Sequence, residues 1–113
     1  MNICIFDGFI GKDAETRFLP SGMAVTEWPM AVTSGYGERR ETTWLRCKKF
    51  KAEGLAQYLT KGVKITVQGE LSNREYEDRE GNKRMSLELV VRDVVLPMKG
   101  KEQQPVRDDN TPF

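Results

Sequence analysis

Across residues 63–71 apolar and polar side chains alternate, with Val63, Ile65, Val67 and Leu71 on one parity and Lys64, Thr66, Gln68 and Glu70 on the other. A period of two predicts a strand with one buried face. Beyond it, residues 72–79 read as a polar arm, Glu80-Gly81-Asn82 as a turn, and 83–96 as a long returning strand. Upstream, 2–10 is apolar and β-prone and ends at Gly11, and Phe18-Leu19-Pro20-Ser21-Gly22 has the Pro and Gly of a turn. The second strand, 24–33, puts Thr26, Trp28, Met30 and Val32 on one face. Trp28 is expected to pack inside, because it shares that face with Met30 and Val32. Pro29 cannot donate a ladder hydrogen bond and predicts an edge position or a bulge. A glycine-bearing polar stretch, 34–41, predicts an exposed hairpin loop leading into a third strand at 42–49. At 51–61 the period changes: Ala52, Leu55, Ala56 and Leu59 fall at helical spacings and Gly62 follows as a C-cap, so one short helix is expected.

Five strands with one helix between the third and fourth is the element order of an OB-fold, an all-β, partly open Greek-key barrel. An SH3-like barrel or a small sandwich shares part of that pattern. After Met98 the chain becomes polar, and so little apolar content cannot repay the entropy of ordering. The expected organisation is one folded domain over 1–98 and a flexible tail over 99–113, in keeping with a length of 113 residues.

Composition narrows the chemistry. Histidine is absent, which removes the commonest general base and transition-metal ligand. The acidic residues are dispersed among Lys and Arg, as on a solvated surface, so catalysis is not expected. The two cysteines, Cys4 and Cys47, are too few for a disulfide framework or a four-cysteine zinc site, and both lie in apolar strand contexts that predict packing. No metal or cofactor is expected. The chain lacks a run long and apolar enough for a membrane span, and its start does not read as a signal peptide, so a cytoplasmic location is expected. The formal net charge is only +1, so any nucleic-acid signal must come from how the charges are placed.

That placement is informative on the third strand. Trp44, Arg46, Lys48 and Phe50 share one parity, while Leu45 and Cys47 share the other. The second set is apolar. The first interleaves two aromatics with two cations, which matches a single nucleic-acid strand: rings stack on bases and cations meet phosphates. Covering a dimer surface or the barrel end is the competing use of the two rings, but burying unpaired cations between them is costly. Tyr36, with Arg39 and Arg40 close by in the hairpin loop, and Tyr76, in the polar arm, are the other candidate platforms. Arg74, Lys64 and Lys83 complete the candidate phosphate contacts. The final residues, Asp108-Asp109-Asn110-Thr111-Pro112-Phe113, have the chemistry of a peptide ligand: carboxylates suit a basic patch, and Phe113 with a terminal carboxylate suits an apolar pocket.

The chain resembles the bacterial single-stranded DNA-binding proteins over nearly its whole length. The resemblance lies in the stretch Gly11-Lys12-Asp13-Ala14-Glu15-Thr16-Arg17-Phe18, in Thr43-Trp44-Leu45-Arg46, in Tyr58-Leu59-Thr60-Lys61-Gly62 with the Val63 strand behind it, in Gln68-Gly69-Glu70-Leu71, and in the acidic tip ending Pro112-Phe113. It implies an OB-fold that assembles as a homotetramer, wraps single strands for replication, recombination and repair, and recruits replication and repair enzymes through Asp108, Asp109, Pro112 and Phe113. By that resemblance Trp44 and Phe50 fall on stacking positions, and Tyr36 and Tyr76 stand where relatives often carry Trp. Leu45 stands where many members carry a histidine implicated in assembly, and the tail is far shorter than is common, which is similar to plasmid, phage or mobile-element forms. Two rival expectations remain: a primosomal accessory OB-fold protein acting mainly through protein contacts, against which the acidic tip argues, and an interaction module in which Trp44 and Phe50 are interface core.

Overall fold

The structure, a computed structural model, describes residues 1–97. The 99–113 tail, with Asp108, Asp109, Pro112 and Phe113, lies outside the described residues. Six strands run in chain order: β1 (Cys4–Ile10), β2 (Glu15–Phe18), β3 (Ala24–Ser34), β4 (Glu41–Phe50), β5 (Lys64–Glu77) and β6 (Lys83–Val95). Short 3-10 turns occupy Gly37–Arg39 and Glu53–Tyr58.

Hydrogen bonding orders the sheet β1-β5-β6-β4-β3-β2, and β1 also pairs with β3 through Phe9 opposite Ala31 and Ile10 opposite Met30. That extra pairing closes β1, β5, β6, β4 and β3 into a ring. The pairs are antiparallel except β4 with β6, which run parallel. This is the five-stranded OB-fold topology expected from element order, with β2 added as a hairpin partner of β3. Closure needs a glycine at the crossing, since a Cβ on Gly8 would lie 2.3 Å from the carbonyl oxygen of Ala31.

Alternation fills the barrel. Ile10, Trp28, Met30, Leu45, Cys47, Ile65, Val67, Leu89 and Val91 point inward and pack with Leu59 as one core. Trp28 is only 2% exposed, as its register with Met30 required, although its Nε1 donates to no partner among the described residues. Pro29 sits where its missing donor matters least. Its carbonyl accepts from Gly11 N (2.9 Å), so its ring nitrogen faces the same side, in the gap between Glu27, the last residue paired to β2, and Met30, the first paired to β1.

Two expectations change. The helix after β4 is a 3-10 segment of six residues, held by Leu55 N to Ala52 O (3.0 Å) and Leu59 N to Ala56 O (3.1 Å). So short a segment nucleates an α-helix poorly. Its apolar spacing serves instead to bury Ala52 and Leu59, while Ala14 N bonds the Leu59 carbonyl (2.9 Å). Gly62, at φ 89°, does not cap this segment; it turns the chain into β5 and donates to Ile10 O (2.7 Å). The second change is β2, four residues without apolar alternation, which tertiary pairing alone supports: Arg17 bridges to Glu27 (3.2 Å), and the Thr16 and Thr26 hydroxyls meet at 2.9 Å.

Candidate nucleic-acid interface

β4 is flanked by β3 and β6, so its outward side chains lie in the middle of a three-strand surface. Leu45 and Cys47 are buried, and Trp44, Arg46, Lys48 and Phe50 consequently point out. Trp44 is 57% exposed and Phe50 38% exposed. Register places Ala31, Pro29, Glu27 and Val25 of β3 beside Trp44, Arg46, Lys48 and Phe50 in that order.

On the other flank the parallel pairing sets Glu88 beside Arg46. From Glu88 the same face continues into the β5–β6 arm, where Ser72 is opposite Glu88, Arg74 opposite Ser86 and Tyr76 opposite Arg84. One continuous outer surface therefore carries Phe50, Lys48, Arg46 and Trp44 and leads on to Arg74 and Tyr76, the last 48% exposed. Tyr36 stands in the β3–β4 hairpin, 91% exposed, with Arg39 and Arg40 also exposed beside it. The four aromatic candidates are thus all accessible, three of them on the sheet face and one on the hairpin at its end.

The cations divide. Arg46, Arg39 and Arg40 have no carboxylate within ion-pair distance among the described residues. Lys48 and Arg74 converge on Glu88, with Lys48 Nζ 2.8 Å from Oε1 and Arg74 Nη1 3.4 Å from Oε2. The hydrogen bond from Lys48, helped by that from Arg74, holds the Glu88 carboxyl below the usual carboxylate range. Lys64 lies on the β1–β5 flank, paired with Asp7 (3.3 Å) and 6.0 Å over the Phe9 ring. Lys83 has the parity of Met85 and Leu87, so it projects from the opposite face of the arm to Arg74 and Tyr76. Neither Lys64 nor Lys83 joins the β4 cluster.

A cleft of about 220 Å³ is lined by Arg46 and Lys48 of β4 and, among others, by Lys12, Asp13, Glu15, Glu27, Pro29 and Glu88. Mixed charge of this kind suits a ligand that offers both phosphates and base-edge donors. Among the described residues no group of three or more His, Cys, Asp or Glu could hold a metal ion, and no helix is long and apolar enough to cross a membrane.

Sequence reasoning passed over two residues of this site. Gly11 is one: the Trp44 ring lies over it. Glu88 is the other, a lone acid at an outward position in an apolar strand, visible as such in Leu87-Glu88-Leu89-Val90. Its place beside Arg46 depends on the parallel β4–β6 pairing, which no local pattern encodes.

Comparison with known proteins agrees with this architecture. A solved structure, the small single-stranded DNA-binding protein from Streptomyces coelicolor, superposes with a TM-score of 0.74 at 22% identity and covers 85% of this chain and 94% of its own, so the two share a fold. The single-stranded DNA-binding protein of Paenarthrobacter aurescens is 38% identical over 96 residues, which cover 77% of this chain and 56% of the relative. The single-stranded DNA-binding protein 2 of Streptomyces coelicolor is 40% identical over 96 residues, covering 77% of this chain and 48% of the relative. The chain thus spans about half the length of the curated relatives it matches. Residues 1–97, the whole barrel with its β4 face and arm, match the single-strand binding protein family, and the chain belongs to that family.

Proposed function

We propose that this protein binds single-stranded DNA with little sequence preference and is not an enzyme. The carrying observation is the β4 face, where two rings and two cations point outward over a sealed apolar layer. Bases stack on Trp44 and Phe50, and the path extends to Tyr76 across the sheet and to Tyr36 at the hairpin. Arg46, Arg39 and Arg40 meet phosphates directly, with Lys48 and Arg74 contributing as far as Glu88 leaves them free. Lys64 and Lys83 serve only a strand that has left this face.

Homo-oligomer formation, with a tetramer as the expected state, is part of the proposal. It is supported by the outer side of β1 and the residue before it, where Ile5, Phe9 and Ile3 are exposed, with exposed Val95 of β6 on the same face across β5. The relatives' names speak of single-stranded DNA binding; protection of single strands during replication, recombination and repair, in the cytoplasm and with the nucleoid, is part of the same proposal. The acidic segment Asp108-Asp109-Asn110-Thr111-Pro112-Phe113 would recruit replication and repair proteins, its carboxylates and ring matching a basic, apolar-centred pocket.

The test is a fluorescence titration of the full chain with oligo(dT), duplex DNA and RNA of equal length. Tight, salt-sensitive quenching by oligo(dT) and much weaker response to duplex support the reading; equal affinity for duplex and single strand overturns it.

A further inference from the structure

Glu88 lies in the middle of a face proposed to bind a polyanion, beside Arg46 in the β4–β6 register. Its side chain is only 12% exposed, and its two oxygens are divided between two cations, Oε1 at 2.8 Å from Lys48 and Oε2 at 3.4 Å from Arg74. Two non-bridging phosphate oxygens would engage the same two cations in the same way. A phosphate approaching Lys48 or Arg74 must displace this carboxylate or accept its repulsion, in a semi-buried setting where charges are screened less than in bulk water. Arg46 lies next to the same negative group.

We infer that Glu88 is a built-in competitor for the DNA backbone, occupying Lys48 and Arg74 as a phosphate would and holding the affinity of the face below what its cations could reach. The inference rests on the reading that the β4 face binds single strands. It gives that reading a regulating residue: a strand held by stacking, with part of the phosphate attraction already neutralised from within, is released and repositioned more easily.

The experiment compares Glu88→Gln, nearly identical in shape, with Glu53→Gln, which makes the same change in net charge on the exposed turn that contacts β2 and β3. Affinity for oligo(dT) is measured over a salt series on the full chain. Glu88→Gln is expected to bind about three- to tenfold tighter at low salt, with the slope of log K against log salt steeper by about 0.7 to 1.4 as one or two phosphate contacts are regained. Glu53→Gln is expected to change affinity less than about twofold. A Glu88→Gln affinity that equals that of Glu53→Gln, or falls below wild type, overturns the inference.

A second variant tests it from the cation side. Lys48→Gln should cost less affinity than Arg46→Gln, because Lys48 is already partly neutralised; equal losses overturn the inference. If Trp44→Ala weakens binding while Glu88→Gln matches Glu53→Gln, only the statement about Glu88 falls. If Trp44→Ala and Glu88→Gln both leave binding unchanged, the face itself is not the site and the reading beneath the inference fails with it.

Discussion

A Cβ built on Gly11 would lie 2.6 Å from Cζ3 of Trp44 and 3.0 Å from Cη2, so the indole at the centre of the proposed binding face is seated on bare backbone. Gly11 follows β1 directly, and its N–H bonds Pro29 O at 2.9 Å, which fixes the seat relative to β3. Gly11→Ala should leave the fold intact and push the ring off its seat, removing part of the roughly 1 to 3 kcal/mol that stacking on one base contributes. Oligo(dT) affinity together with an unchanged circular-dichroism spectrum checks this; wild-type affinity would show that the ring can move aside without cost.

The two tryptophans should report separately. Trp28 is sealed in the barrel and Trp44 is more than half exposed. Quenching of intrinsic fluorescence by oligo(dT) should survive Trp28→Phe and largely disappear in Trp44→Phe. Trp44→Ala should weaken binding by about 1 to 3 kcal/mol. Quenching that follows Trp28 instead would place the strand elsewhere.

Charge on the β4 face and on the far side of the arm makes a paired prediction. Arg46→Gln should reduce the magnitude of the log K against log salt slope by about 0.7, as one phosphate contact is lost. Lys83→Gln removes the same charge from the opposite face of the arm and should leave the slope unchanged. Equal effects from both variants would show that overall charge, not placement, governs binding.

Cys47 links stability to alkaline pH. Burial pushes its thiol from 9.0 up to about 12. A folded-state value above the unfolded one means that the unfolded chain loses its proton first. This contribution to stability is therefore fully present below about pH 9 and is lost as the pH rises towards about 12. Replacing Cys47 with Ala should flatten that alkaline decline in urea midpoints. In the native state a thiol reagent at mildly alkaline pH should label half-buried Cys4 well before buried Cys47.

Leu59 is fully buried although it belongs to a short connecting turn, and it packs against the core from the end of the barrel. Leu59→Ala should cost about 2 to 5 kcal/mol of unfolding free energy, the range for a large-to-small change at a buried site. A loss under about 1 kcal/mol would mean that the turn collapses into the vacated space.

Much of this molecule can be read from periodicity, because a strand with one buried face must alternate. The inward set on β5, the buried register of Trp28 and the outward set Trp44, Arg46, Lys48 and Phe50 all follow from that rule, and none depends on knowing the partner strands. The segment at 51–61 shows its limit. Apolar residues three and four apart satisfy an α-helix and a 3-10 turn that pins Ala52 and Leu59 equally well, and the choice is made by what they pack against. β2 shows another limit, since its four residues become a strand only because β3 offers them an edge.

Sequence by itself determined which side chains of β4 face outward, because the two-residue repeat of a strand is a local property of the backbone. Only the tertiary structure decided what lies beside them: Gly11 beneath Trp44, Glu88 between Lys48 and Arg74, Lys83 on the far side of the arm. The first two neighbours join residues far apart in sequence, through the approach of Gly11 to β4 and the parallel β4–β6 pairing, and the third follows from the β5–β6 hairpin register; all are set by how the strands pair and not by the two-residue repeat alone.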